Sequence, residues 1–340
     1  MQISEYVTLG HPDKMADYIS SYILDRYIEK DPDTRYAVEC QIKNNVVNLA
    51  GEITSKAKFT KKQIEKFVKA AANEIGYTKE YQKRFGKQNT ICADDIVVNT
   101  YISKQSPDIA QGLKGWGDQG IFFGYAHPSP QYNYFEPSHG LARSIGQDLY
   151  EEDVFGKDIK VLVVLKGNKP QRIILAVPTA EKITKRSKVL DYIFDHAVKN
   201  KIDLVINGTG NFKKHGSIAD SGTTGRKLAV DFYGGACKIG GGSPWTKDGS
   251  KADLTLNLYA RYLALKFLKE NGITREVYCD IVCAIGRQEI NISIHNGEGL
   301  IYKEYVEKCD PKVLIKKFGL NKPIYAELCR NGLFSKIKVR

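Results

Sequence analysis

Three short stretches of the sequence combine charged side chains with glycine or turn residues, and these stretches could do chemistry. The first is Gly10-His11-Pro12-Asp13-Lys14, where an imidazole, a carboxylate and an ammonium group share one turn at the start of a helix. The free N–H groups of a helix start attract anions, and an aspartate there can hold Mg2+ against phosphate oxygens. Such a turn is also common as a simple helix cap, so it predicts a site only together with other segments.

The other two stretches are rich in glycine and in basic residues. Residues 219–227 have the sequence ADSGTTGRK, whose small residues let the backbone approach a ligand while Arg226 and Lys227 supply positive charge. Residues 240–253 have the sequence GGGSPWTKDGSKAD, and three consecutive glycines are costly in chain entropy unless the backbone must come close to something. Taken alone, the former is equally well explained by a hairpin turn with a solvated basic pair. Neither stretch has the GxxxxGK[ST] spacing of a P-loop, and no GxGxxG follows a strand.

Together the three stretches predict a site for a magnesium-bound polyphosphate. They supply several cations, carboxylates at helix starts and glycines that permit close approach. The sequence has no evident Ser–His–Asp or Cys–His arrangement that would provide a protein nucleophile. This favours a reaction in which the substrate is itself the nucleophile.

The composition is that of a globular protein, with 42% hydrophobic and 26% charged residues in a chain of 340. The net charge of +12 raises the alternative of nucleic-acid binding, but the basic residues are dispersed and alternate with apolar ones, as on solvated helix faces. We therefore expect no nucleic-acid partner.

The seven cysteines are scattered without a CxxC pair, which predicts buried thiols rather than a zinc site. No apolar run suits a signal peptide or a membrane span, so we expect a cytoplasmic protein without membrane contact.

The first stretch must be carried by a helix from about Lys14 to Glu29, because its apolar positions keep the 3.6-residue period. Two alternating runs, 36–42 and 46–54, flank Asn44-Asn45 and predict a β-hairpin. If this turn sets the register, one face is apolar and packs on a helix. The opposite face is predicted to meet solvent, a partner or a ligand, and it consists of Ala37, Glu39, Gln41, Asn48, Ala50 and Glu52.

The rest of the chain alternates between helices and strands, which predicts an α+β fold of several similar units. Helices are expected near 60–75, 137–150, 186–199 and 251–270. Strands are expected near 94–102, 121–126, 159–166, 171–178, 202–206, 227–233 and 276–285. We divide the chain into an N-terminal unit (1–104), a loop (105–117), a central unit (118–205) and a C-terminal unit (206–340), interleaved in space.

At these stretches the chain resembles the S-adenosylmethionine synthetase (methionine adenosyltransferase) family. Six blocks occur in the family's order: SEYVTLGHPDKMADYIS, NLAGEITS, KQSPDI, GDQGIFFGYA, DSGTTGRKLAVDFYGG and GGGSPWTKDGSKAD. The resemblance extends to about Ile294 and fades beyond it. It implies three similar α/β units, each with a mixed sheet covered by helices, whose flat sheet faces form a dimer interface.

The resemblance also implies roles for individual residues. The catalytic residues it implies are His11, Lys169, Arg226 and Lys247. The ATP-binding residues it implies are His11, Asp118, Lys169, Phe212, Asp220, Arg226, Lys227, Ser243 and Lys247. Methionine is expected at Glu52, Gln105, Asp220 and Lys251. Two Mg2+ ions are expected at Asp13 and Asp253, and K+ at Glu39.

The implied reaction joins the sulfur of L-methionine to C5′ of ATP and releases the triphosphate, after hydrolysis, as phosphate and pyrophosphate. A thioether needs no general base, so catalysis depends on aligning sulfur, C5′ and the leaving oxygen. Cations meet the charge that grows on the triphosphate, and the loop 105–117 is expected to close over the site. The resemblance also implies a homodimer or a dimer of dimers.

Several positions depart from the family's pattern. The Asp-Gly-Lys that ends in a phosphate-binding lysine is matched to Gly167-Asn168-Lys169, and the Gly-Arg-Phe is matched to Gly210-Asn211-Phe212. Ile239 stands where a histidine precedes the triple glycine, and Ser243-Pro244-Trp245 replaces a smaller, more flexible segment. These changes leave open a second class of function, a catalytically impaired relative that acts as a binding or regulatory subunit. We expect an active enzyme, because the metal residues and most phosphate residues are in place.

Overall fold

The computed structural model describes residues 1–104, 115–180 and 186–339. Over these residues the strands form three four-stranded sheets with helices packed against them, which confirms the predicted α+β class. The strands are β1 (Gln2–Val7), β2 (Arg35–Lys43), β3 (Val46–Thr54), β4 (Val97–Ser103), β5 (Gly120–Ala126), β6 (Lys160–Lys166), β7 (Lys169–Ala176), β8 (Asp203–Ile206), β9 (Gly222–Thr223), β10 (Val277–Cys283), β11 (Glu289–His295) and β12 (Ile301–Lys308). The helices are α1 (Pro12–Ile28), α2 (Lys61–Ile75), α3 (Lys79–Phe85), α4 (Pro137–Glu151), α5 (Lys188–Asn200), α6 (Leu228–Asp231), α7 (Ala252–Glu270), α8 (Pro311–Phe318) and α9 (Tyr325–Asn331).

The sheets join strands that are distant in the sequence. Sheet I has the order β1-β6-β7-β8, sheet II the order β4-β3-β2-β9, and sheet III the order β12-β11-β10-β5. In sheet I, Val7 lies opposite Lys160, and in sheet II, Gln41 lies opposite Thr223. Each sheet therefore crosses at least one of the predicted unit boundaries. The boundaries themselves remain a prediction.

The hairpin of β2 and β3 has the predicted turn, register and faces. Asn44 has a φ of 52°, the left-handed conformation that such a turn requires. Ala37 lies opposite Glu52, and Glu39 lies opposite Ala50, so both carboxylates belong to one face. The apolar face of the hairpin is buried and consists of Val38, Cys40, Ile42, Val47 and Leu49. It packs on α1, whose apolar side chains are all buried except the partly exposed Tyr22.

The strand predicted at 227–233 is wrong, because the chain forms the short helix α6 there. An alternating strand would point Val230 and Asp231 to opposite sides, whereas the helical turn buries both. The Asp231 carboxylate accepts hydrogen bonds inside the protein from Lys14 Nζ, at 2.6 Å, and from Trp245 Nε1, at 2.8 Å. These buried partners explain why the alternating apolar pattern of residues 227–233 does not produce a strand.

The helix α7 begins at the end of the glycine-rich stretch 240–253 and packs tightly on sheet III. Its Ala260 carbonyl oxygen is so close to Gly124 of β5 that a Cβ at Gly124 would overlap it. This close contact fixes α7 against the sheet, and with it the position of the helix start where Asp253 lies. No helix in the described part of the chain is long and apolar enough to cross a membrane.

Candidate functional site

The first stretch caps the start of α1 as the sequence suggests. His11 is the N-cap residue, with φ −62° and ψ 138°, and its Nδ1 accepts a hydrogen bond from the Asp13 N–H at 3.2 Å. Because Nδ1 is the acceptor, the ring proton belongs on Nε2, which becomes a donor. Burial, and after it the charge of the nearby Lys227, lower the pKa of His11 to about 3. His11 is therefore a neutral hydrogen-bond donor and not a cation.

Asp13 is the centre of a cluster of opposite charges. Its carboxylate is 1% exposed and accepts hydrogen bonds from Lys227 Nζ at 2.6 Å and from Thr223 N at 2.8 Å. The Arg226 guanidinium lies 3.7 Å away. Burial alone would raise the pKa of Asp13, but the hydrogen bonds from Lys227 and Thr223 hold it below its ordinary value. An ionised carboxylate thus lies next to two cations.

The second stretch reaches Asp13 because it is bound to sheet II. Gly222 and Thr223 form β9, which pairs with β2, and a Cβ at Gly222 would overlap the carbonyl oxygen of Pro12. Gly225 has a φ of 76°, which favours glycine, and this turn directs Arg226 and Lys227 back toward α1. The sequence motif therefore has a steric reason: side chains at these glycines would push the two cations away from Asp13.

The third stretch carries a second carboxylate–lysine pair, which lies further along the same edge of β2, where Lys247 is opposite Ala37 and Thr223 is opposite Gln41. Asp253, in the first turn of α7, forms an ion pair with Lys247. A Cβ at Gly242 would overlap the Asp253 carboxylate, and Ser243 packs against Gly225. Lys247 also forms an isolated β-bridge with Ala37 of β2. The glycine-rich stretch therefore contacts Asp253 through Gly242, and through Ser243 it contacts the turn at Gly225 that precedes Arg226 and Lys227.

Glu39 joins the same two stretches from the open face of sheet II. Its carboxylate accepts hydrogen bonds from the hydroxyl of Thr224 and, at 3.1 Å, from the hydroxyl of Thr246. Glu52 lies on this face as well, opposite Ala37. The polar face of the hairpin is therefore continuous with the charged cluster.

Two residues that the sequence analysis missed lie beside His11. The charge of Lys160, at the start of β6, acts on both His11 and Asp158. Asp158 is 5% exposed; its Oδ2 accepts a hydrogen bond from Gly216 N at 2.9 Å, whereas its buried Oδ1 has no hydrogen-bond partner within the described residues. Burial raises the pKa of Asp158 to about 6. The charge of Asp220, a site residue predicted from the sequence, also acts on His11 and Asp158.

The structure does not bring Lys169 to this cluster, so its placement there is corrected. Lys169 lies opposite Lys166 at the tip of the β6–β7 hairpin, whereas Lys160 lies at the other end of the same strand. Gly167, with a φ of 58°, and Asn168 form the hairpin turn, so the departure noted at Asn168 falls on an exposed turn. The signal that could have found the correct residue is the earlier triplet Asp158-Ile159-Lys160, which keeps the aspartate and the lysine at the expected spacing.

The remaining candidates lie around the edges of the cluster. The carbonyl of Asp118 accepts a hydrogen bond from the Cys283 thiol. Burial chiefly raises the pKa of this thiol to about 11, and the negative charges of Asp118 and Asp253 contribute in the same direction. Phe212 packs edge-on to His215 at 6.4 Å between ring centroids, next to Gly216. Lys251 is the N-cap of α7. Gln105, like most of the loop 105–117, lies outside the described residues.

The site thus defines a class of protein, one that gathers cations, two lysine-paired aspartates and a neutral imidazole around close-packed glycine loops on an α+β fold. The chain belongs to the S-adenosylmethionine synthetase family. The model of that family's N-terminal domain matches residues 1–107, and the model of its C-terminal domain matches residues 215–340. The second match reaches the end of the chain, so the similarity does not fade beyond Ile294 as the sequence suggested.

Similar proteins cover nearly the whole chain. An S-adenosylmethionine synthase of Acholeplasma laidlawii is 30% identical, covering 98% of this chain and 94% of its own. That of Kosmotoga olearia is 34% identical, covering 99% of this chain and 93% of its own. A solved structure described as an unusual S-adenosylmethionine synthetase from Campylobacter jejuni matches with a TM-score of 0.84 at 28% identity, covering 98% of this chain and 94% of its own.

Proposed function

We propose that this chain catalyses the synthesis of S-adenosylmethionine from ATP and L-methionine, and that it hydrolyses the displaced triphosphate to phosphate and pyrophosphate. The observation that carries the proposal is the cluster around Asp13, whose buried, ionised carboxylate is paired with Lys227 and lies beside Arg226 and the neutral His11. Such an arrangement suits a polyphosphate. The family membership supports the same substrates.

The residues present fit magnesium as a cofactor. Mg2+ is usually held by one or two carboxylates, with phosphate oxygens and water completing its shell. Asp13 and Asp253 offer one carboxylate each, and no cluster of three or more metal-binding side chains is found in residues 1–104, 115–180 and 186–339. When bound, Mg2+ would neutralise part of the charge of the triphosphate. For K+, Glu39 and its two threonine hydroxyls offer hard oxygen atoms.

The roles of the protein side chains follow from their charges and positions. Lys227, Arg226 and Lys247 would bind the phosphates and stabilise the leaving triphosphate. His11, as a neutral donor, would hydrogen-bond the oxygen that links C5′ to the triphosphate, through Nε2–H. Lys160 and Asp158 would complete the nucleotide side of the site, since the unpartnered Asp158 Oδ1 calls for a donor. The same cations then serve hydrolysis of the triphosphate, in which the chain chiefly positions and neutralises.

The remaining assignments stay part of this proposal. Asp220 and Lys251, together with Glu52 and Gln105, would hold methionine, and Phe212, Ser243 and Asp118 would contact ATP. The open face of sheet II would associate with a second copy of the chain. That face exposes Tyr101 by 68% and Val97 by 53%, beside the two glutamates of the hairpin. Exposed aromatic and aliphatic side chains on a flat sheet are typical of an interface.

An omission assay tests the proposal. The purified chain is incubated with ATP, L-methionine, MgCl2 and KCl, each left out in turn, and S-adenosylmethionine, phosphate and pyrophosphate are measured. The expected result is equal amounts of the three products, with none of the sulfonium product when ATP, methionine or magnesium is missing. Breakdown of ATP that does not depend on methionine, or binding of ATP without any product, would contradict it.

A further inference from the structure

Two buried side chains, Tyr81 of α3 and His215, form a hydrogen-bonded pair that lies outside the site residues predicted from the sequence. The Nδ1 of His215 lies 2.7 Å from the carbonyl oxygen of Lys213, which can only accept, so Nδ1 carries the ring proton. Nε2 is therefore an acceptor, and the Tyr81 hydroxyl donates to it at 2.6 Å. Burial lowers the pKa of His215 to about 4, so the ring is neutral and these hydrogen bonds keep their direction at neutral pH.

The pair joins two segments of the chain that carry site residues. The Tyr81 oxygen accepts a hydrogen bond from Lys157 N at 2.8 Å, one residue before Asp158. His215 belongs to the other segment, and its ring contacts that of Phe212 edge-on, at 6.4 Å between centroids. The hydrogen bond between Tyr81 and His215 thus connects the backbone beside Asp158 with the ring beside Phe212.

The pair fits closely into the core. A Cβ at Gly156 would lie 2.9 Å from the Tyr81 hydroxyl oxygen and 3.1 Å from His215 Nε2. The ring of Phe85 packs edge-on to that of His215 at 5.2 Å, and the His215 N–H donates to the carbonyl oxygen of Asn89 at 3.0 Å. Because the core fixes the pair, the pair can fix the two segments that it contacts.

Asp158 and Phe212 suit the nucleoside part of a ligand. Asp158 Oδ2 accepts a hydrogen bond from Gly216 N at 2.9 Å, whereas the buried Oδ1 has no partner in the part of the chain that the structure describes. A carboxylate oxygen can accept from a hydroxyl or amino group, but it repels a phosphate. The ring of Phe212 is partly exposed, and a base can stack on such a ring.

We propose that Tyr81 and His215 are positioning residues that hold Asp158 and Phe212 in place for the nucleoside part of the nucleotide. The inference rests on the proposed function, from which it takes ATP as the ligand. Groups that are already in position lose less conformational entropy when the ligand binds. Thr8 Oγ1 hydrogen-bonds the backbone on either side of Asp158, so loss of the Tyr81 hydroxyl loosens this segment without unfolding it.

The test compares two probes by calorimetry in the presence of MgCl2. Adenosine 5′-(β,γ-imido)triphosphate carries the nucleoside and resists hydrolysis, whereas tripolyphosphate lacks the nucleoside. Tyr81→Phe keeps the ring and removes the hydroxyl, and a lost hydrogen bond corresponds to about a tenfold change. We therefore expect about tenfold weaker binding of the imido analogue. Binding of tripolyphosphate is expected to change by less than about twofold, because Asp158 offers nothing to a phosphate.

The matched control is Tyr259→Phe. Tyr259 is 7% exposed, against 6% for Tyr81, and its hydroxyl donates to Glu307 at 2.8 Å, away from both segments. This variant is expected to bind both probes as the unmodified chain does.

Two variants at His215 separate positioning from simple loss of stability. His215→Leu removes the acceptor, whereas His215→Gln offers a carbonyl oxygen to the Tyr81 hydroxyl. The KM for ATP is expected to rise about tenfold in His215→Leu and less than about threefold in His215→Gln. The value of kcat stays unchanged in both, because the lost interaction contributes equally to binding of the substrate and of the transition state.

Three results overturn the inference: equal losses of binding for the two probes in Tyr81→Phe, unchanged binding of the imido analogue in that variant, or equal KM values in His215→Gln and His215→Leu. If Tyr81→Phe does not fold, the comparison of the two variants at His215 gives the answer. Failure of the unmodified chain to bind the imido analogue would instead refute the proposed function.

Discussion

Lys160 and Lys169 give the sharpest test of the site, because the sequence selected one and the structure selects the other. Both side chains are exposed, so replacing either with methionine removes a charge without disturbing a core. The pairing of β6 with β7 places Lys160 opposite Ala176 and Lys166 opposite Lys169. Six residue steps along a strand separate the two ends by about 20 Å.

This separation sets the size of the expected effects. Two unit charges about 20 Å apart interact by about 0.2 kcal/mol in water before screening, and physiological salt, with a Debye length of about 8 Å, reduces this to less than about 0.05 kcal/mol. Lys169→Met is therefore expected to leave turnover within twofold. Lys160→Met removes a cation that acts on His11, and loss of one preorganised donor typically lowers kcat about 100- to 1,000-fold.

The assay is the initial rate of S-adenosylmethionine formation from ATP and methionine, with kcat and KM determined for both variants and the unmodified chain. Urea unfolding of each variant checks that stability is unchanged. A loss of turnover in Lys169→Met comparable to that in Lys160→Met would refute the argument from strand register. Equal activity of all three proteins would show that neither lysine touches the reaction.

Asp13→Asn is expected to abolish turnover because it removes the ionised carboxylate that pairs with Lys227. Asp33→Asn, a change at an exposed position, serves as the control. Full activity of Asp13→Asn would rule out a role of Asp13 in binding metal. Tyr101→Arg is expected to dissociate the assembly in analytical ultracentrifugation, because Tyr101 is 68% exposed on the open sheet face; an unchanged sedimentation coefficient argues against that interface. Burial lowers the pKa of His139 to about 3 in the folded protein, whereas in the unfolded chain this histidine has an ordinary pKa of about 6.5. As the pH falls, the unfolded chain therefore takes up the proton first, and acidification destabilises the fold. Between pH 7 and pH 5 the unmodified chain should lose about 2 kcal/mol more unfolding free energy than His139→Gln, and identical slopes in urea titrations would contradict the assignment.

The sequence predicted the hairpin well because its determinants are local. Alternation of apolar and polar residues and the Asn44 turn together specify which side chains face the core. The same local reasoning failed at 227–233, where long-range hydrogen bonds from Lys14 and Trp245 to Asp231 favour a helical turn. Local alternation carries no information about such partners.

The site was predicted in part for a related reason. The glycine-rich stretches and Asp13 stood out by composition, and the structure brings them together. Lys160 was missed because its role depends on the pairing of β6 with β1, which places it opposite Val7 and near His11. The hydrogen bonds that Asp231 accepts from Lys14 and Trp245 were equally invisible, since Lys14 looks like an ordinary charged residue of a helix.

Strand β2 supports an unusual share of this arrangement. One edge of β2 pairs with β3. The other edge pairs with β9 and forms the bridge from Ala37 to Lys247, and Glu39 lies on β2 between these two contacts. Since side chains alternate with a period of two, deleting a single residue from β2 would turn its apolar side chains toward solvent and the Glu39 carboxylate toward the core. An insertion at the Asn44-Asn45 tip would leave the ladder intact. Among changes of chain length, β2 is thus the place where folding and chemistry fail together.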